Sequence, residues 1–254
     1  MHPEIFGVIK SYGVLLATSF VLGILLCIRR GRARGLDPDT VLDFCFGVLL
    51  SSIIGVRLYF VLTHLADFHP WYRAFYIWEG GLTLYGGIIA ATLTVWVLSR
   101  RRGVPFLRMA DVMAPAVVLG IGITRIGCFL NGCCFGRPTD SFLGVVFPLH
   151  CPAGPYCAAE GALLPSQLFS SAGGFAVFGL LLLLEKRRSA DGMTFARFLA
   201  LYGLARVLVD FTRWYEPEMI LAMGLTSNQW ISIAIGLGGV LLMLRLRGGG
   251  ERAG

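Results

Sequence analysis

Apolar stretches of about twenty residues, separated by short polar segments, repeat along this chain from one end to the other. A helix needs about 20 mainly apolar residues to cross the hydrocarbon core of a bilayer. The pattern predicts seven transmembrane helices, at about 4–28, 40–64, 79–98, 109–131, 166–184, 193–213 and 227–245. We therefore expect an all-α polytopic membrane protein, a single transmembrane domain over 1–254, with its termini on opposite sides.

The longest segment between predicted spans lies at about 135–165 and is rich in Pro and Gly. Such a composition favours a loop with short irregular elements. The first apolar stretch is too long for a cleavable signal peptide and is followed by RRGRARG, which is typical of a first span whose amino end faces outward.

Composition supports the membrane class. Of 254 residues, 56% are hydrophobic and 15% are charged, and the mean hydropathy is +0.73. Soluble domains carry about 25% charged residues. The net charge of +7 is accounted for by membrane orientation and contact with anionic lipid headgroups, so a nucleic-acid partner is not expected.

Basic residues are concentrated in alternate segments between the spans. Lys and Arg are retained on the cytoplasmic side of a membrane. One side carries Arg29, Arg30, Arg32, Arg34, Arg100, Arg101, Arg102, Arg108, Lys186, Arg187, Arg188, Arg245, Arg247 and Arg252. The other side carries only Lys10, Arg73, Arg137 and Arg213. The N-terminus and the loop 135–165 are therefore predicted to lie outside, and the C-terminus in the cytoplasm.

Three arginines stand inside predicted spans: Arg57, Arg125 and Arg206. A charged side chain at the bilayer centre costs about 2.5–3.5 kcal/mol on insertion scales, so buried arginines usually face a polar cavity and pair with an anion. Membranes supply one such anion from the side, the phosphate of a phospholipid. The alternative is an interhelical salt bridge, of Arg57 or Arg206 with Asp111 or Asp210.

Helical spacing groups these arginines with other polar residues. Arg206, Asp210 and Arg213 are spaced i, i+4 and i+7, which predicts one charge-compensated face of the sixth span. Arg125 and Asn131 likewise fall near one face of the fourth span, together with a cysteine at 128.

Cys128, Cys133 and Cys134 cluster at the outer end of the fourth span. The spacing C-x4-C-C matches neither a zinc site nor a C-x-x-C redox pair. Packing is therefore favoured over metal or redox chemistry, and no metal or other cofactor is expected. Cys27 and Cys45 are interpreted as small apolar core residues.

Cys151 and Cys157 lie in the loop that is predicted to face the oxidising side. Disulfides persist in such compartments. A small disulfide between these two cysteines is predicted, with two free thiols as the alternative.

Five motifs follow one another along nearly the whole chain: SYGVLLA, WEGGLTLYGGIIA, TRIGCFLNGCCFGRPTD, LPSQLFSS and LYGLARVLVDFTRWYEP. In this order they resemble the conserved segments of the prolipoprotein diacylglyceryl transferase family. The third resembles that family's pattern Gly-Arg-x-Gly-Asn-Phe-x-Asn-Gly-Glu-x-x-Gly-Arg, and the second resembles Trp-x-Gly-Gly-x-Ser-x-His-Gly-Gly.

The resemblance implies transfer of diacylglyceryl from phosphatidylglycerol to a cysteine thiol of a secreted lipoprotein precursor, with release of glycerol phosphate. It implies a multi-pass enzyme of the bacterial inner membrane whose site opens toward the outer leaflet. Arg125 and Arg206 match the family's essential arginine pair. The matching segments imply that the phospholipid is bound by Tyr12, Arg57, Gly86, Asn131, Gly136, Arg137, Ser166, Gln167, Asp210 and Arg213.

The reaction itself explains why arginines are required. Displacement at a glycerol carbon expels a phosphate ester, so the transition state needs stabilisation of negative charge on phosphate oxygens. The planar guanidinium binds phosphate through two parallel hydrogen bonds and stays charged when it is desolvated.

The chain departs from the family pattern at several positions. Tyr85 stands where the family has His, Cys128 where it has Asn, Cys133 and Asp210 where it has Glu. Tyrosine has a pKa of about 10, so it is a base only if that pKa is lowered. Tyr85 is predicted to be a catalytic-site residue, either a phenolate base or a hydrogen-bond donor that orients the lipid.

Two other functions fit these departures. One is an enzyme of the same fold with a different acceptor or with cysteine-based chemistry. The other is a non-catalytic phospholipid-binding or scaffold protein that retains the arginines.

Overall fold

The computed structural model describes residues 4–5, 9–65, 76, 84–185, 190–215 and 221–250. Within these residues the chain forms eight α-helices: α1 Ser11–Ala33, α2 Pro38–Thr63, α3 Leu84–Arg102, α4 Phe106–Asn131, α5 Gly154–Glu160, α6 Ser166–Leu184, α7 Met193–Asp210 and α8 Ser227–Gly250. A two-residue strand pair, β1 Glu4–Ile5 and β2 Ile9–Lys10, precedes α1. The basic residues used for orientation that lie outside the described residues are Arg73, Lys186, Arg187, Arg188 and Arg252.

Five helices in the described part of the chain are long and apolar enough to cross a membrane: α1, α2, α4, α6 and α8. The prediction of an all-α membrane protein is confirmed. α3 and α7 coincide with the other two predicted spans but are less apolar. α3 ends in three arginines, and α7 carries Arg197, Arg206 and Asp210 within 18 residues.

Several predicted helix boundaries differ from the structure. α1 ends at Ala33 rather than at 28, and α3 ends at Arg102 rather than at 98. The first span was predicted from residue 4, but α1 begins at Ser11 because Glu4–Ile5 and Ile9–Lys10 pair as β1 and β2. The sixth span was predicted to reach Arg213, but α7 ends at Asp210.

The helices divide into two compact units, and residues 26–112 form one of them. α2 and α3 pack closely in this unit because glycines face each other. A Cβ on Gly55 or on Gly86 would collide with the backbone of the other residue. Small residues are the usual means of close helix contact in membranes.

An arginine pair and a buried aspartate join the end of α1 to α4 in the same unit. Arg34 Nη1 lies 2.8 Å from Asp111 Oδ2, and the Asp111 side chain is fully buried. Arg30 Nη2 donates to the Asp111 carbonyl oxygen over 3.0 Å. Asp111 is therefore satisfied by arginines from the end of α1.

Residues 1–25 and 113–254 form the other unit. Its apolar core lies between α4, α6 and α7 and is centred on Ala114, Val118, Val177, Leu181 and Phe198. α7 and α8 approach closely at Gly203 and Gly239, where a Cβ would collide with the facing backbone.

The segment between α4 and α6 belongs to this second unit and folds back on itself. Val145 and Leu163 exchange two backbone hydrogen bonds of 2.9 and 3.0 Å, and Phe147, Ala153, Cys157 and Leu163 form a small apolar core beneath them. The segment is irregular apart from α5, as its Pro and Gly content predicts.

Candidate active site

Arg125 of α4 and Arg206 of α7 line the same cleft in the second unit. The other residues that line the cleft are Ile121, Ser170, Gly173, Gly174, Tyr202, Ala205 and Val209. Gly174 allows α6 to approach α4, because a Cβ there would lie 3.1 Å from the Gly122 Cα. Two arginines therefore line one recess between three helices.

Arg206 and Asp210 form an ion pair along α7. Nη1 of Arg206 lies 3.0 Å from Asp210 Oδ1, and the two side chains are 16% and 0% exposed. The pair meets the distance of a salt bridge but lacks the alignment of a hydrogen bond. Nη1 is buried and has no hydrogen-bond partner among the described residues. A guanidinium with spare donors in a cleft is suited to bind an anion with several oxygens.

Both carboxylate oxygens of Asp210 are occupied. The Tyr215 hydroxyl donates to Oδ1 over 2.5 Å, and the Thr226 hydroxyl donates to Oδ2 over 2.5 Å. Burial and the hydrogen bond to Asp210 raise the pKa of the Tyr215 phenol, which remains a donor. Asp210 is therefore held rigidly while it compensates the charge of Arg206.

Thr226 also begins α8 through a capping box. Its backbone N–H donates to Gln229 Oε1 over 2.9 Å, and the Gln229 backbone N–H donates to the Thr226 hydroxyl over 3.2 Å. The sequence prediction missed Tyr215, Thr226 and Gln229. The motif TSNQ is a signal for this cap, since Ser or Thr followed three residues later by Glu or Gln is its signature.

Cys134 lies beside Arg125, and the charge of the guanidinium acts on the thiol. Contact with the Cys128 and Cys133 thiols lowers the pKa of Cys134, and the positive charges of Arg125 and Arg213 lower it further, against the opposing effect of burial. The Cys134 thiol therefore lies in positively charged surroundings.

Four residues that are predicted to bind lipid also make contacts that hold the backbone together at the ends of α6 and α7. The Ser166 hydroxyl donates to the Thr212 carbonyl over 2.8 Å, and the Arg137 N–H donates to the same oxygen over 3.0 Å. A Cβ at Gly136 would collide with Ser166 and Thr212. Gln167 Nε2 donates to the Cys133 carbonyl over 2.8 Å.

Tyr12 and Asn131 lie at the same end of the second unit. The Tyr12 ring packs against Gly127, where a Cβ would lie 3.2 Å from Tyr12 Cδ2. The Asn131 side chain hydrogen-bonds the Cys133 thiol. Both are thus near the cysteine cluster.

Arg213 does not extend the helical face of Arg206 and Asp210, which corrects the predicted three-residue stripe. α7 ends at Asp210, and Arg213 forms an isolated backbone bridge with Gly136. Its guanidinium carbon lies 5.3 Å from the Tyr215 ring centroid. Its Nε is buried without a hydrogen-bond partner among the described residues.

Three predicted site residues belong to the unit 26–112. Arg57 is 7% exposed, and its guanidinium carbon lies 5.9 Å from the centroid of the Phe60 ring. Tyr85 lies in the first turn of α3 and is 40% exposed. Gly86 is at the close contact with Gly55.

The predicted disulfide between Cys151 and Cys157 is not formed, because both are free thiols in the structure. Each is buried in its own surroundings. The Cys157 sulfur accepts a hydrogen bond from the Phe147 N–H over 3.2 Å. Cys151 packs on Gly132, where a Cβ would lie 2.6 Å from the Cys151 Cβ.

The fold and the cleft define a helical membrane protein with an arginine-lined recess among its helices. The prolipoprotein diacylglyceryl transferase family profile matches residues 4–245, and the chain belongs to this family. It is similar to the phosphatidylglycerol–prolipoprotein diacylglyceryl transferase of Bordetella avium (strain 197N), with 35% identity over 93% of this chain and 89% of the relative.

Two clostridial relatives are similar over comparable lengths. Phosphatidylglycerol–prolipoprotein diacylglyceryl transferase 2 of Clostridium perfringens (strain 13 / Type A) is 32% identical over 94% of this chain and 92% of its own length. The transferase of Clostridium tetani (strain Massachusetts / E88) is 29% identical over 91% of this chain and 90% of its own length.

Proposed function

We propose that this protein transfers diacylglyceryl from phosphatidylglycerol to a cysteine thiol of a prolipoprotein and releases glycerol phosphate. The observation that carries the proposal is the cleft that Arg125 and Arg206 share, in a chain of this family. A different acceptor and a non-catalytic lipid-binding role have less support, because relatives that align over 93% and 94% of the chain are named as this transferase.

The proposed reaction is a displacement at carbon. The acceptor sulfur forms a bond to the glycerol carbon that bears the phosphate, and the bond between that carbon and the phosphate-ester oxygen breaks. The electron pair of that bond leaves on the phosphate-ester oxygen of glycerol phosphate, and this phosphate group takes up the proton that the thiol loses. Arg125 and Arg206 bind the phosphate oxygens on which negative charge develops, which lowers the barrier.

Asp210 is proposed to orient Arg206 rather than to react. It carries a buried negative charge and accepts hydrogen bonds from Tyr215 and Thr226. A fixed guanidinium does not have to reorient when the phosphate binds. Preorganised charges of this kind account for most of the lowering of the barrier in electrostatic catalysis.

The direct test is transfer in a purified system. Protein in detergent is mixed with phosphatidylglycerol and a peptide that carries a lipobox cysteine, and the peptide mass is followed. We expect the peptide to gain one diacylglyceryl group, and phosphatidylethanolamine in place of phosphatidylglycerol to give far less product. If the peptide stays unmodified while the protein binds phosphatidylglycerol, the proposed reaction is refuted. Another acceptor, or lipid binding alone, would then be favoured.

We also propose seven spans in the bacterial inner membrane, with the N-terminus outside. α3 and α7 have 19 and 18 residues, or about 28 and 27 Å at 1.5 Å per residue, close to the ~30 Å of the hydrocarbon core. A reporter fused at Ala158 should be active only as an extracytoplasmic enzyme, and one fused after Arg34 only as a cytoplasmic enzyme. A cytoplasmic signal at Ala158 would reverse the orientation.

Tyr85 is proposed to orient the lipid. Tyr85→Phe should then lower kcat by less than about 10²-fold, the lower end of what a positioned proton-transfer group contributes. A larger loss, together with a changed pH profile, would identify the phenol as the base. Tyr85→His restores the residue that the family pattern has and should retain transfer to the lipobox peptide.

A further inference from the structure

Three cysteine sulfurs meet at the end of α4. The Sγ atoms of Cys128, Cys133 and Cys134 all lie within 4.8 Å of one another. Cys128 is buried and the other two are half-buried. None of the three has a part in the proposed transfer reaction.

The chain reversal after α4 explains how residues five and six positions apart come together. Gly132 has a φ of +68°, its N–H donates to the Phe129 carbonyl over 3.1 Å, and the Cys133 N–H donates to the Cys128 carbonyl over 3.0 Å. This is the hydrogen-bond pattern of a Schellman motif, which ends a helix by a left-handed glycine. The motif folds Cys133 back over the last turn, where Cys128 lies.

Cys134 is held in an unfavourable backbone conformation. Its φ is +60°, in the left-handed region that residues other than glycine seldom adopt. Such a conformation is strained, and functional sites are where it most often persists. Here it directs a third sulfur toward the other two.

The sulfur positions are close to those of a metal site. Zinc–sulfur bonds are about 2.3 Å long, so three thiolates on one ion lie about 3.8–4.0 Å apart, depending on whether the geometry is tetrahedral or trigonal. The separations here, all within 4.8 Å, require an inward shift of less than about 1 Å. Rotation of the cysteine side chains can supply it.

The surrounding charge selects among thiophilic ions. Three thiolates carry three negative charges, and Arg125 and Arg213 are close enough to interact electrostatically with Cys134. One monovalent cation would bring the total charge of the three thiolates, the two arginines and the ion to zero. Partly buried surroundings of low dielectric constant favour a neutral set of charges. Thiolates prefer soft ions such as Cu(I) and Zn²⁺.

We propose that Cys128, Cys133 and Cys134 bind one thiophilic metal ion, with Cu(I) as the preferred ion. The site stands independently of the transferase proposal, because none of its three ligands takes part in the proposed transfer. The sulfur geometry locates the site, and the neighbouring arginine charges select the ion.

The test is metal stoichiometry of the purified, reduced protein in detergent. Protein is titrated with Cu(I) supplied by a chelator and, separately, with Zn²⁺, and metal per chain is measured after desalting. We expect one Cu(I) per chain, and X-ray absorption should show a copper ion bound to three sulfurs. Cys133→Ser and Cys134→Gly should each abolish stoichiometric binding, whereas Cys27→Ser, at a buried cysteine elsewhere, should retain it.

Cys134→Gly keeps the test interpretable, since glycine adopts a positive φ without strain and the variant should fold. Thermal unfolding of each variant checks this directly. Equal metal content in the parent and in Cys134→Gly would overturn the site. Tighter binding of Zn²⁺ than of Cu(I) would contradict a monovalent ion, and a Cys128–Cys133 disulfide in reduced protein would contradict three thiolate ligands.

Discussion

Arg206→Lys is expected to lower kcat/KM for diacylglyceryl transfer by about 10²–10³-fold, the usual loss when one transition-state donor is removed, while the protein still folds. Lysine keeps the positive charge beside Asp210, so the ion pair survives. It cannot reproduce the planar fork that binds two phosphate oxygens at once. Arg125→Lys should have a loss of the same order, because both arginines line the cleft.

The matched control is Arg100→Lys on α3. Arg100 lies over the Trp96 ring, 5.5 Å from its centroid, and is proposed to face the cytoplasm. Transfer by this variant should be close to that of the parent. Near-normal transfer by Arg206→Lys, at normal expression, would instead make Arg206 a structural partner of Asp210 and would remove it from the proposed site.

The apolar pattern predicted the position of a helix correctly where the apolar residues had no other secondary structure to form. The span at 166–184 coincides with α6, because Pro165 directly precedes it and residues 172–184 form a run without polar side chains. At the N-terminus the same reasoning placed a span too early. Glu4–Ile5 and Ile9–Lys10 pair as two short strands, and a count of apolar residues cannot distinguish a short strand from the start of a helix.

The two arginines of the cleft were predictable because a charge inside an apolar span is conspicuous. The partners of Asp210 were not, because they come from other parts of the chain. Tyr215 lies five residues beyond Asp210 and Thr226 sixteen, and only the folded chain brings both hydroxyls to one carboxylate. Ser166 and Gln167 matched the family, yet their bonds to the Thr212 and Cys133 carbonyls depend on tertiary contact.

The cysteines show how far linear spacing can mislead. C-x4-C-C was interpreted as packing because it matches no metal pattern, but the reversal at Gly132 brings the three sulfurs together. Conversely, Cys151 and Cys157 are near in sequence and on one loop, and are nevertheless separate free thiols. The number of residues between two cysteines therefore does not determine whether their sulfurs meet. The local turn of the backbone determines it.

Asp210→Asn is expected to destabilise the protein by about 3–5 kcal/mol, the usual cost of removing one partner of a buried ion pair. The Asp210 side chain is fully buried and Arg206 is 16% exposed, so the substitution leaves a guanidinium uncompensated in a low-dielectric setting. It also places an amide N–H₂ against a hydroxyl donor, either Tyr215 or Thr226. Thermal unfolding in detergent should show a clearly lowered midpoint.

Asp43→Asn is the matched control, since Asp43 forms an ion pair with Arg102 in which the side chains are 43% and 51% exposed. Exposed pairs contribute about 0–1 kcal/mol, so the unfolding midpoint should change little. If Asp210→Asn were as stable as Asp43→Asn, the hydrogen bonds of Tyr215 and Thr226 would have to be satisfied without the carboxylate. Arg206 would then keep its position in the cleft by packing alone, and Asp210 would lose its proposed role of orienting it.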